Sequence, residues 1–222
     1  MGNWSIEPRA SAPVKRARSI FLTTALAATV ALLVGCATAV KGPLLLHPVP
    51  PTLEKYSLTQ GALVFSGPDF SVSARPWDYR LVAEEFRAAG ETCPFGTDDT
   101  QVGRFVFFRV RLENRSTRTL VFNPMRASLL IEGEPPLIPL ENSDLFAFTS
   151  EDSTGVEERG RAFRRTCFDL PVTIRPGQSV ERYLVFTSPE DPPQRVAVEL
   201  GDLWLDSKSF TLHFVFETFP GK

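Results

Sequence analysis

The stretch "FFRVRLEN", residues 107 to 114, decides the fold. Phe108, Val110 and Leu112 alternate with Arg109, Arg111 and Glu113, so one face belongs in a core and the other in water, which is the signature of a β-strand. Downstream, the polar turn Arg115-Ser116-Thr117-Arg118 leads to Leu120 and Phe122, then to Leu129 and Ile131. Asn123-Pro124 breaks that run, as a sheet edge or bulge would.

The same period continues on both sides. Ala62 to Phe65 and Phe70 to Ala74 flank the turn Ser66-Gly67-Pro68-Asp69 and read as a hairpin. Toward the carboxyl end, Val172 and Ile174 run into the Pro176-Gly177 turn, and Val180, Leu184 and Phe186 lie on the next strand. Val196, Val198 and Leu200, then Phe210, Leu212, Phe214 and Phe216, form a final pair. One segment departs from this pattern. In "DYRLVAEEFRAAG", Asp78 is placed to cap a helix, Leu81, Val82, Glu85 and Phe86 have helical spacing, and Gly90 ends it. A helical turn is also expected in "NSDLFAF", and the charged segment Glu151 to Arg165 reads as a long loop. Seven or more short strands with one short helix predict an all-β, two-sheet antiparallel sandwich over residues 57–222.

"FFRVRLENRSTRTLVF" followed by "VTIRPGQSVERYLVF" resembles the immunoglobulin-like, telokin-like sandwiches of many bacterial extracytoplasmic proteins, in which a Pro-Gly turn precedes a strand ending in Val-Phe. The likeness covers about residues 60–217. It implies a fold and carries over no functional residue, because the shared features are turn and core positions.

The amino terminus supplies an address. Ile20 to Val34, "IFLTTALAATVALLV", is fifteen residues without a charge, preceded by Lys15, Arg16 and Arg18, as in a signal peptide. As a helix it would reach about 22 Å, short of the ~30 Å hydrocarbon core of a bilayer, so a permanent span is the weaker reading. Leu33 stands where an ordinary secretory cleavage site needs a small residue. Leu33, Val34, Gly35 and Cys36 together resemble the bacterial lipoprotein box. That resemblance implies removal of residues 1–35, a diacylglycerol (palmitate-type) chain on the Cys36 thiol, commonly acylation of the new amino group, and, with Ala37 next in line, sorting to the outer membrane facing the periplasm. Several acyl chains make a stable bilayer anchor. A myristoylation start fails because Ile6 stands where Ser or Thr is needed. The sequons at Asn3 and Asn114 are accidental in a bacterial lipoprotein.

Assigning Cys36 to lipid leaves Cys93 and Cys167 in an oxidising compartment, and a disulfide between them is expected. Residues 36–56 carry Pro43, Pro48, Pro50 and Pro51 and read as a tether, although Leu44, Leu45 and Leu46 are apolar enough to dock on the domain.

Charge and composition narrow the function. Residues 1–35 hold four basic side chains against Glu7, a balance of +3, so the totals of 24 basic and 26 acidic residues leave the rest at −5 with no basic footprint for nucleic acid. His47 and His213 are too few for a triad or a histidine-built zinc site, no glycine motif for phosphate occurs, and no cofactor is expected. Asp98-Asp99, Glu151-Asp152 and Glu157-Glu158 lack the alternating register of a calcium loop. The most distinctive local patch is Arg161, Arg164 and Arg165 with Phe163 and Phe168, residue types enriched at interfaces. It reads either as a docking surface or as a surface loop whose phenylalanines fold back onto the core. The expectation is a non-catalytic envelope lipoprotein, held to the bilayer through Cys36, that binds or scaffolds an envelope protein or glycan. An accessory subunit of a secretion or envelope-assembly machine is the alternative, with a carboxylate-dependent hydrolase behind it.

Overall fold

The computed structural model describes residues 44–96, 99–144 and 155–219. Leu33, Val34, Gly35 and Cys36, the second half of the expected turn at "NSDLFAF" and the opening of the charged segment at 151–154 lie outside them. Among the described residues eleven strands follow in chain order. They are β1 (Leu46–Pro48), β2 (Tyr56–Thr59), β3 (Ala62–Ser66), β4 (Phe70–Trp77), β5 (Phe105–Asn114), β6 (Leu120–Phe122), β7 (Ala127–Ile131), β8 (Val172–Ile174), β9 (Ser179–Thr187), β10 (Arg195–Leu205) and β11 (Lys208–Thr218). Helices α1 (Tyr79–Ala88), α2 (Asp99–Val102) and α3 (Val156–Thr166) are set between them.

The expected two-sheet sandwich is the observed architecture. One sheet has the order β2-β3-β4-β5-β9; in the other, β1, β11 and β10 lie side by side, β6 and β7 share the far edge of β10, and β8 pairs with β6. Every strand-to-strand ladder is antiparallel. Alternation dictates the core between the sheets: Phe108, Val110 and Leu112 of β5 meet Phe214 and Phe216 of β11 and Phe122 of β6 in one buried cluster. Phe108 packs on Phe216 with ring centroids 5.1 Å apart, a separation typical of favourable aromatic pairs.

A second apolar layer lies on the outer face of the five-stranded sheet. The run "FVFF" at residues 105–108 is buried on both faces, as an uninterrupted apolar strand should be. Phe105 and Phe107, with Tyr183 and Val185 of β9, face Val82 and Phe86 of α1, Phe95, and Ala162 and Phe163 of α3. Phe95 sits at the centre, edge-on to Phe107 at 4.8 Å and to Phe163 at 5.9 Å. Each buried phenylalanine contributes on the order of 2 kcal/mol, which holds in place helices too short to persist alone.

The helix ends follow their sequence. The Asp78 carboxylate accepts from the Arg80 amide at 2.9 Å. At the other end Gly90 takes φ +67°, while the Gly90 and Glu91 amides donate to the Arg87 and Phe86 carbonyls, a Schellman arrangement that needs a residue without Cβ.

Two expectations are corrected. The charged segment ending at Arg165 is not a loop throughout, because residues 156–166 form α3, with Glu157 and Glu158 in its first turn and Arg164 and Arg165 in its last. That order of charges favours the helix dipole, and Val156, Gly160, Phe163 and Cys167 recur at helical spacing. The tether expected over 36–56 is also folded from near Leu44 onward: β1 pairs with β11, Leu44 and Leu46 pack against the sandwich core, and β2 begins at Tyr56.

The break at Asn123-Pro124 is a bulge shared by two neighbours. The Asn123 side chain accepts from the Met125 amide at 3.2 Å and a single 3-10 turn separates β6 from β7. Opposite it β10 slips register between Leu200 and Leu203, and a Cβ added at Gly201 would lie 2.6 Å from the Arg126 carbonyl oxygen. Only glycine allows that approach.

Candidate functional site

The residues expected to form a docking surface do not stay together. Phe163 is fully buried in the helical layer and Phe168 is buried in the sandwich core, edge-on to Phe122 at 5.2 Å. Neither phenylalanine offers a surface, so of the two readings of this patch its aromatic part follows the second. Arg161, Arg164 and Arg165 are exposed on α3, and Arg165 forms an ion pair with Glu91. With the Asn142 amide turned to satisfy its neighbours, its oxygen accepts from Arg164 at 2.8 Å.

Cys93 and Cys167 both border the helical layer, and both are free thiols, so the expected disulfide is not formed in this structure. Burial pushes both thiols above their ordinary value, and Cys93 raises Cys167 further. A protonated thiol is a poor nucleophile. Cys167 is bridged to Tyr183 of β9, whose carbonyl also receives the Phe168 amide at 2.8 Å. The cysteine region thus covers part of the β9 edge.

A cluster that the sequence did not single out lies on the outer face of the five-stranded sheet, beside α1. Glu85 of α1 accepts from the Tyr183 hydroxyl and from Arg109 at 3.0 Å, and Arg109 is also paired with Glu181. Burial, then the hydrogen bond to Glu85, pushes the Tyr183 phenol up. For Arg109, burial opposes the charge, but Glu181 and Glu85 outweigh it and raise the pKa. Trp77 stands between two guanidinium groups, Arg75 at 4.6 Å and Arg109 at 4.9 Å from the ring centre. Arg75, Trp77, Arg109 and Glu181, with Ser73 and Gln60, line a cavity of about 210 Å³.

Strand register explains the grouping. Arg75 opposes Arg109, and Arg109 opposes Tyr183, so side chains distant in sequence share one face. Pro76 is tolerated because β4 has outrun its pairing with β3, which ends at Ala74. The two carboxylates of the cluster, Glu85 and Glu181, are engaged by one arginine, Arg109. That geometry suits recognition of a polar group better than general acid–base work, which needs carboxyls in unlike environments.

Among the described residues no group of three or more His, Cys, Asp or Glu is placed to hold a metal ion. His213 is exposed on β11, 3.5 Å from Glu199. His47, expected in a linker, is instead on β1, its ring tilted against that of Phe219 at 4.2 Å. Asn114, the first residue of its sequon, is buried and its amide fully engaged. No described helix is long and apolar enough to cross a membrane.

No family model and no curated protein matches the chain. Among solved structures, the yjhA protein from Bacillus subtilis aligns with 49% of this chain and 72% of its own length at 12% identity and a TM-score of 0.32. A likeness of that size carries no argument.

Proposed function

We propose that the chain is a lipid-anchored protein of the bacterial envelope, whose sandwich serves as a non-catalytic module that binds or scaffolds another envelope component. The observation that carries the reading is the box Leu33-Val34-Gly35-Cys36 behind an uncharged run and a basic cluster. The fold is consistent with it, since β1 begins at Leu46, ten residues beyond the cysteine. The telokin-like resemblance, the outer-membrane address and a Cys93–Cys167 disulfide formed after export belong to the same reading. The exposed arginines of α3 and the cavity beside Trp77 are the surfaces offered to a partner.

Replacing Cys36 with Ser tests the anchor. The precursor should persist and should take up no labelled palmitate, whereas wild type should be cut and labelled. Label on the variant equal to wild type would sink the reading.

A further inference from the structure

Leu45, Leu81 and Phe219 are large apolar residues exposed to 48%, 42% and 59%. Scattered exposed leucines need no explanation, but these three border one cavity of about 320 Å³, together with Leu44, Trp77 and Phe107. Two of them are tied by backbone, since the Phe219 amide donates to the Leu45 carbonyl at 3.1 Å. Sharing one cavity, the patch is contiguous and built from the residue before β1, the start of α1 and the residue after β11.

Its place along the chain says what covers it. Only residues 37–43 separate Cys36 from Leu44, and eight residue steps reach at most about 28 Å when fully extended. A folded unit the size of Lys41–Lys222 is about 40 Å across. A leash shorter than the domain's width obliges the side on which it arrives to lie toward the anchor. That side carries the leucines, Phe219 and an indole, the residue types that settle at the boundary between headgroups and acyl chains.

We infer that the Leu45–Leu81–Phe219 patch docks on the lipid bilayer that holds the acyl chains of Cys36, so that the domain lies on the membrane instead of ranging above it. The inference rests on the anchoring proposed above. A patch of this kind marks an interaction surface, and the occupant nearest to hand is the bilayer.

The test uses the full-length protein, processed in the cell, purified in detergent and returned to phosphatidylethanolamine and phosphatidylglycerol vesicles whose acyl chains are brominated near the headgroup. Two variants are compared, Phe219→Trp and Leu170→Trp. Leu170 is 66% exposed and precedes β8, at the opposite edge of the six-stranded sheet from β1. Palmitate label and flotation with the vesicles report the anchor separately. Docking predicts that Phe219→Trp loses about half or more of its added emission to brominated lipid, since docked side chains sit at the acyl boundary, while Leu170→Trp keeps its emission. Labelled, floating protein with both emissions unchanged overturns the docking and leaves the anchor standing. Absent label overturns the anchor and the docking with it. Emission from Phe219→Trp that shifts with protein concentration, and not with brominated lipid, overturns the docking by assigning the patch to a second copy of the chain.

Discussion

The Asn114 carboxamide donates to the Ile174 carbonyl at 2.9 Å, a bond that runs from β5 in one sheet to β8 in the other. The same amide donates to the Arg118 carbonyl, and its oxygen accepts from the Ser116 amide at 3.0 Å and hydroxyl at 2.8 Å. Asn114 is fully buried, so nothing in water substitutes for it. Asn114→Ala should cost about 3 kcal/mol, since buried groups left unsatisfied cost about 1–3 kcal/mol each. A urea midpoint moved by less than the equivalent of about 0.5 kcal/mol would show the turn to be held by other bonds.

Gly201→Ala places a methyl 2.6 Å from the Arg126 carbonyl oxygen, which is backbone and cannot swing aside. The bulge must open, at a cost of about 1–3 kcal/mol. Thermal melting should show the loss, and a melting temperature equal to wild type would show that the bulge has room for the methyl.

The buried thiols make stability fall in alkali. Burial raises Cys93 and Cys167 above an ordinary 9.0, so above that pH the unfolded chain releases protons that the folded chain keeps, and stability declines as pH rises. Below 9 the contribution is complete. Tyr183 acts in the same sense above 10.0, again chiefly through burial. Urea midpoints of reduced protein should hold to about pH 9 and then drop, and Cys167→Val should flatten the first part of the drop. A midpoint that rises through this range would contradict the assignment.

Oxidation of the pair should add about 4 kcal/mol in the loop-entropy account and abolish the thiol part of the alkaline drop. Mass spectrometry of exported protein, denatured and alkylated without reductant, should find Cys93 and Cys167 unmodified. Two modified thiols would leave the structure's reduced pair as the working form.

Replacing Arg161, Arg164 and Arg165 together with Ser should leave the fold standing, with a loss of about 0.5 kcal/mol for each, as expected for exposed charges near a helix end. Partner capture should weaken if α3 is the surface used. Undiminished recovery of every co-purified component would make the arginines helix-stabilising charges only.

What could be read from the chain divides along physical lines. Strands whose alternation is strong, such as Phe105–Asn114 and Lys208–Thr218, were legible because period two is local information. The cap at Asp78 and the stop at Gly90 were legible for the same reason. Helix α3 was hidden by its charge and by Gly160, although Val156, Gly160, Phe163 and Cys167 carry its spacing. Gly160 fits because it faces Asn142, where a side chain would crowd the amide. The Trp77–Arg109–Glu85 cluster could not be read at all, since it depends on the register of β4, β5 and β9 and on how α1 lies across them. Folding of the proline-rich stretch depended likewise on a distant partner, β11.

That last pairing has a mechanical meaning. β1 is held to β11 over three residue pairs, from Leu46 with Thr218 to Pro48 with Phe216, and one of its three residues has no amide proton to give. A pull on the chain ahead of Leu44 falls first on this ladder, while the long ladders of β10 and β11 behind it carry no load. Peeling β1 away would release residues 44–55 as about 40 Å of slack with both sheets otherwise whole. The strand is a breakaway link, and a tug on the amino-terminal side frees slack before it threatens the fold.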